Sequence, residues 1–221
     1  ERMRAEFRYW YPMDLRVSGK DLIGNHLTMC LYNHAAIWPD EPETRWPRSM
    51  YTNGFVLLDG EKMSKSTGNF LMLDEAVKLY SADAVRFALA DAGDSLEDAN
   101  FERKRADGAI NMLYVEEEFA RKALGVVPEK DALELRPKDS PRDAYFVDKA
   151  FVNELHALAA ETLACYSAMR WRDGIQAGAF GLQLARDAYR DWCTRSKVPM
   201  HAGLLEEYVE LEAALTAPAC P

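Results

Sequence analysis

Asn53-Gly54-Phe55-Val56-Leu57-Leu58-Asp59-Gly60 runs directly into Glu61-Lys62-Met63-Ser64-Lys65-Ser66-Thr67-Gly68-Asn69. The first part reads as a short strand that ends at a glycine turn. The second sets two ammonium groups three residues apart among three hydroxyls and a glycine. Lysine is a compact cation with three donors and suits non-bidentate contact with phosphate oxygens. Small residues let the backbone come close to a ligand and let a loop move. Pyrophosphate gathers negative charge as it leaves, and positioned lysines stabilise that charge. An arbitrary pair of lysines at this spacing is usually a solvated turn. Here the string is complete and follows a strand, which favours the phosphate reading.

Upstream, Leu15-Arg16-Val17-Ser18-Gly19 reads as another short strand. Leu22, Ile23, Leu27, Leu31, Ala35 and Ile37 recur close to helical spacing, which predicts a helix from Leu22 to Ile37. Strand, helix, strand is the order of a parallel α/β unit. Too few strands are present for a whole sheet, so residues 1–70 read as part of such a domain. Downstream the period changes. Asp74 or a neighbour caps a short helix through Tyr80, and Ser81 caps a helix over Ala82–Ala92 that stops at Gly93. A third helix is expected from Asp98 to Leu124. Residues 126–142 form a charged connector bearing Pro128, Pro137 and Pro141, expected to be exposed. Val147, Phe151, Leu155, Leu158, Thr162, Tyr166 and Met169 then give one apolar stripe. Further helices are expected over Arg172–Thr194 and Ala202–Leu215.

The composition sets limits. With 221 residues, 48% hydrophobic and 29% charged, the chain is an ordinary globular protein of one large or two small domains. No apolar run approaches the roughly 20 residues that span a bilayer, and no signal peptide opens the sequence. No membrane partner is expected. Cys30, Cys165, Cys193 and Cys220 form no C-x-x-C pair, so neither a zinc knuckle nor a disulfide framework is indicated, and a cytoplasmic location fits best. No residue set reads as a metal site. The net charge of −9 argues against a generic nucleic-acid coat, and no DNA partner is expected. Residues 1–70 are balanced, with nine basic and nine acidic residues, so the acid surplus lies in residues 71–221.

Lys62-Met63-Ser64-Lys65-Ser66, continued by Thr67-Gly68-Asn69, resembles the second signature of the class I aminoacyl-tRNA synthetases. The flanks narrow the resemblance. Tyr11-Pro12-Met13-Asp14-Leu15-Arg16-Val17-Ser18-Gly19-Lys20-Asp21-Leu22 and Asn25-His26-Leu27 look like the strand and helix start that precede that signature in the leucine-specific branch, of archaeal and eukaryotic cytosolic type. Ser81-Ala82-Asp83-Ala84-Val85-Arg86 and Glu97-Asp98-Ala99-Asn100-Phe101 resemble its stem-contact segment. Leu215-Thr216-Ala217-Pro218 is similar to the start of a motif late in its helical domain.

The resemblance implies a Rossmann-type catalytic domain, here in part, followed by an all-helical anticodon-binding bundle, mainly α overall. Residues 1–70 would be the C-terminal part of the catalytic domain. Residues 71–125 would be the stem-contact segment with the first bundle helix, 126–142 the connector, and 143–221 the bundle. By the same resemblance Lys65 stabilises pyrophosphate during adenylate formation and Lys62 assists. Ser64 and Ser66 hold phosphates or shape the loop, and the Met63 backbone lies near the adenine. Gly19 lets the backbone approach the adenosine, and Asp21 accepts from the ribose hydroxyls, as a carboxylate can. His26 matches a pocket-lining histidine. The implied ligands are ATP with Mg2+, leucine and tRNA(Leu).

The family's first signature, a His-x-Gly-His that grips ATP, does not occur: the histidines are His26, His34, His156 and His201. The expectation is therefore a piece of a longer synthetase that does not catalyse alone. Isoleucyl-, valyl- or methionyl-tRNA synthetase share the lysine signature, and a non-catalytic tRNA- or protein-binding module derived from a synthetase is the remaining alternative. Gly19-Lys20 is no P-loop, since Asp14 and Asp21 stand where that motif needs glycine and Ser/Thr. Trp10, Trp38, Trp46, Trp171 and Trp192 read as packing residues. Arg170, Arg172, Arg186, Arg190 and Arg195 could face a tRNA backbone or simply be solvated. The acidic run Asp91, Asp94, Glu97 and Asp98 reads as capping and docking, and Cys30 as a small core residue.

Overall fold

In the computed structural model, which describes residues 1–221, Arg16–Gly19 (β1) pairs in parallel with Met50–Asn53 (β2), Arg16 opposite Met50 and Gly19 opposite Asn53. The helix Arg2–Trp10 (α1) precedes β1. After β1 the chain stays helical to Ile37, through a 3-10 turn at Lys20–Leu22, a π-turn at Ile23–Leu27, and Thr28–Ile37 (α2). The short helix Pro42–Arg45 (α3) leads into β2. These elements form one compact unit, Glu1–Leu57 together with Asp94–Ala99.

The expected strand–helix–strand order holds, with a different second strand. The partner of β1 is Met50–Asn53, whereas Val56–Leu58 (β3) lies in a three-stranded sheet between Glu61–Lys62 (β4) and Ala99–Phe101 (β5). Gly54 separates the two strands. Its N–H donates to the Ser95 carbonyl at 3.0 Å, and a Cβ there would collide with the Glu97 backbone. Around α1 and α2, Phe7 stacks on Tyr11 with ring centroids 4.7 Å apart, Tyr11 stacks on His34, and the Arg45 guanidinium lies 5.2 Å from the Trp38 ring. Cys30 is only half-buried, beside His34, and so is not the core residue expected.

The second unit comprises Leu58–Gly93 and Asn100–Pro221. Its helices are Leu73–Tyr80 (α4), Ala82–Ala92 (α5), Arg103–Ala123 (α6), Phe146–Ser167 (α7), Trp171–Ile175 (α8), Leu182–Ser196 (α9) and Ala202–Thr216 (α10). A π-helical stretch, Gln176–Gly181, joins α8 to α9. It presents Gly178, where a Cβ would meet Thr162 of α7 at 2.8 Å, so glycine permits the close approach. Leu155, Leu182, Tyr189, Leu204, Leu205 and Tyr208 form the buried heart of the bundle, and Phe151 stacks on Tyr189 at 4.5 Å.

Two expectations are corrected. The helix predicted from Asp98 starts only at Arg103, because Ala99–Phe101 is spent on strand pairing. The Arg103 N–H donates to Asp59 Oδ1 at 3.0 Å, so the cap comes from the turn after β3. The connector is also less exposed than expected. Its Leu135–Arg136 (β6) pairs in parallel with Met200–His201 (β7), and Arg136 reaches the fully buried Asp148.

Candidate nucleotide-binding elements

The lysine loop is closed by its own backbone and hydroxyls. β3 turns at Asp59 and Gly60, both with positive φ, into β4. The Ser64 N–H donates to the Asn69 carbonyl at 2.8 Å, and Gly68, at φ +72°, returns its N–H to Lys65. The Ser64 and Ser66 hydroxyls lie 2.8 Å apart, and the Thr67 hydroxyl donates to the Ser64 carbonyl at 3.2 Å. Asn69 Nδ2 then ties the loop to the Leu58 carbonyl of β3. The two serine hydroxyls thus engage each other and set the loop's shape, leaving Lys62, Met63, Lys65 and Ser66 exposed.

Gly19 closes β1, and Lys20–Leu22 follows as a single 3-10 turn. A Cβ on Gly19 would meet Asp21 Oδ1 at 2.6 Å. Only glycine leaves the Asp21 carboxylate where it is, exposed at the end of the parallel pair. His26 lies on the following π-turn, where Nε2 accepts from Arg16 Nη2 at 3.1 Å, since a guanidinium can only donate. Tyr51 of β2 donates its hydroxyl to the Asp94 carbonyl, and burial with the nearby Asp94 charge raises that hydroxyl above its ordinary value.

Gly19, Asp21 and His26 therefore belong to the first unit, and Lys62, Met63, Ser64, Lys65 and Ser66 share one loop of the second. Four neighbours were not among the site residues expected from sequence: Arg16 on His26, Asn69 on the lysine loop, and the ion pair of Lys20, the residue before Asp21, with Asp98. Of these, Asn69 had a local signal as the last residue of the extended signature, whereas Asp98 reads from sequence as capping and docking. Arg186, one of the five late arginines, is withdrawn from any surface role: it is 5% exposed and paired with Glu116.

Residues 1–117 match the family of class I tRNA synthetases (M). The chain belongs to the class I tRNA synthetases. Across 221 residues this synthetase chain is 42% identical to the cytoplasmic leucine–tRNA ligase of Pongo abelii, a match that covers 100% of this chain and 18% of the relative. It is 43% identical over 219 residues to the cytoplasmic leucine–tRNA ligase of Neurospora crassa, covering 99% and 18%. Its fold is that of the agnB2 LeuRS of Agrobacterium radiobacter K84, solved as a ternary complex with tRNA and LeuAMS. That match has a TM-score of 0.73 at 16% identity and covers 97% of this chain and 27% of the other. The synthetase chain thus spans 18% of the length of the two curated relatives.

Proposed function

We propose that this chain is part of an ATP-dependent leucine–tRNA ligase of the cytoplasmic type. The observation that carries the reading is 42% identity over all 221 residues to a relative of that name, with the lysine loop inside the matched span. Residues 1–70 are read as the C-terminal part of a Rossmann-type catalytic domain and 71–125 as the stem-contact segment. Residues 126–142 are the connector and 143–221 the anticodon-binding-type bundle.

In the proposed reaction a leucine carboxylate oxygen attacks the α-phosphorus of ATP, and the bond to the β-phosphate oxygen breaks. Pyrophosphate leaves with the electron pair. A ribose hydroxyl of tRNA(Leu) then attacks the leucyl carbonyl, and AMP leaves. Lys65 would meet the charge that grows on pyrophosphate, with Lys62 beside it. Asp21 would accept from the ribose hydroxyls, and Gly19 would let the backbone approach the adenosine. The Met63 backbone would face the adenine, and the Ser64–Ser66 pair would hold the loop's shape. His26 would line the amino-acid or adenosine pocket. From Met63 to Asn69 the loop offers ammonium, hydroxyl and backbone donors and no carboxylate. That set fits phosphate oxygens and offers no carboxylate ligand for a metal, so Mg2+ accompanying the nucleotide would be held by its phosphates and would supply charge neutralisation there.

The test is amino-acid-dependent ATP–pyrophosphate exchange by the natural full-length polypeptide with leucine, isoleucine, valine and methionine. Exchange with leucine alone is expected. Exchange with another of the four would keep the chemistry and replace the specificity. Silence with all four would favour a non-catalytic binding module.

A further inference from the structure

We propose that Asp98 is a positioning residue that fixes, through one carboxylate oxygen, both the Gly19–Asp21 turn and the strand that runs into the lysine loop. The inference rests on the ligase reading above. Asp98 Oδ1 accepts from Lys20 Nζ at 2.6 Å and from the Phe55 N–H at 2.9 Å. Lys20 stands between Gly19 and Asp21, the two residues expected at the adenosine. Phe55 immediately precedes β3, which leads through one turn to Lys62.

The surroundings hold that oxygen in place. Lys20 Nζ also donates to the Leu96 carbonyl at 3.2 Å and lies 5.2 Å from the centre of the Phe55 ring. The Ala99 N–H donates to the Phe55 carbonyl at 2.9 Å, and Gly54 donates to Ser95. Without a Cβ, Gly54 lets the segment Asp94–Ala99 press against it, backbone to backbone. Lys20 and Asp98 are each about two-thirds buried, with side chains 33% and 34% exposed, which strengthens a charge-assisted bond relative to one in open water. Asp21 is exposed and directly follows Lys20 in the 3-10 turn Lys20–Leu22. Its carboxylate occupies the space beside Gly19 that any larger residue would fill, so its position follows the turn that Lys20 starts. Moving Lys20 moves the acceptor for the ribose hydroxyls. Releasing Phe55 loosens the strand β3 that leads through one turn to the lysine loop.

These two attachments make separable predictions. In the natural full-length polypeptide, Lys20→Met and Asp98→Asn both break the ion pair, while the asparagine oxygen can still accept from Phe55. Each is expected to raise the KM for ATP about tenfold, the value of one lost charge-assisted bond. The KM for leucine, kcat and the fraction of active sites, titrated by the burst of adenylate, should stay unchanged. The double variant should be no worse than either single one. Asp98→Ala also frees the Phe55 N–H and should lower kcat in addition. A purely structural role would reduce the active fraction and leave KM alone. An unchanged ATP KM in both single variants, a loss confined to the active fraction, or additive effects in the double variant would each overturn the proposal. A wild-type polypeptide that shows no leucine-dependent exchange overturns the ligase reading, and this inference with it. Active wild type with silent variants overturns this inference alone.

Discussion

Arg136 Nη2 donates to Asp148 Oδ1 at 2.5 Å, and Asp148 is fully buried at the start of the longest helix of the bundle. The same oxygen takes the Tyr189 hydroxyl at 2.7 Å, while Oδ2 accepts the Tyr145 N–H. Tyr189 in turn accepts from the His201 N–H at the start of the last helix. One carboxylate therefore joins the connector, both ends of the bundle and its central tyrosine. Burial works against the charged form of Asp148, but the hydrogen bonds from Arg136, Tyr189 and Tyr145 outweigh it and hold the carboxyl below its ordinary value. Asp148→Ala leaves Arg136 buried without its partner and is expected to cost about 3–5 kcal/mol. The sign of the pH effect follows from the lowered value. The stabilisation is complete above the unfolded carboxylate range and is lost as pH falls through and below it. Urea denaturation of wild type and Asp148→Ala from pH 7 to 3 checks both. A difference between the two that does not shrink in acid would refute the assignment.

Glu212 behaves in the opposite sense. It is 9% exposed on α10, where Gln183 Nε2 donates to it at 3.2 Å, and its neighbours are Glu116, Arg186 and Tyr208. Burial, then the Glu116 charge, pushes its carboxyl up to about 7. The folded state thus holds a proton that the unfolded chain releases near pH 4.5, and folding stability from this group falls as pH rises between those values. Glu212→Gln keeps the shape without the charge. It should be more stable than wild type at pH 8 and should lose the advantage below pH 5. Equal stability at pH 8 would show that Glu212 is already accommodated as an anion.

The features that were legible in the sequence are local ones. The lysine string is contiguous, and Ser81 and Gly93 bracket α5 within its own turn. What escaped depends on distant partners. The strand that ends at Asn53 is set by pairing with Arg16–Gly19, some thirty residues earlier, and the one at Ala99–Phe101 by the meeting of Gly54 and Phe55 with Ser95–Ala99, some forty residues away. Helix α6 starts at Arg103 because Asp59, 44 residues earlier, accepts its N–H. Arg186 looks like any helix-face arginine until Glu116, 70 residues earlier, pairs with it. Asp98 read as a helix cap for the same reason: its partners, Lys20 and Phe55, lie far back in the chain.

Ser81 ends α4 and caps α5 at φ 70°, ψ 162°, a backbone conformation suited to glycine. Its hydroxyl accepts the Ala84 N–H at 3.3 Å. Ser81→Ala keeps the unfavourable backbone and loses the cap, and should cost about 1 kcal/mol. Ser81→Gly also loses the side-chain cap, but a glycine cap costs only a few tenths and removes the strain. Thermal denaturation should place the glycine variant at or above wild type and the alanine variant below it. An alanine variant more stable than the glycine one would show that the strain is not real.

Lys65 stands exposed on a loop whose shape is held by other residues, through the Ser64–Asn69 backbone bond, the Ser64–Ser66 hydroxyl pair and the Asn69 anchor on β3. Lys65→Ala therefore removes a charge without removing a support, and its folding stability should stay within about 0.5 kcal/mol of wild type. If the ammonium stabilises departing pyrophosphate, the loss falls on the transition state. In the natural full-length polypeptide, kcat for leucine-dependent exchange should drop about 10²–10³-fold with little change in the KM for ATP. Asn69→Ala acts differently, because it frees the loop from β3 while both lysines remain. A smaller loss of kcat is expected there, since the charge is present but less well placed. A Lys65→Ala enzyme with normal kcat would remove the lysine from the chemistry and leave the loop's resemblance without its proposed use.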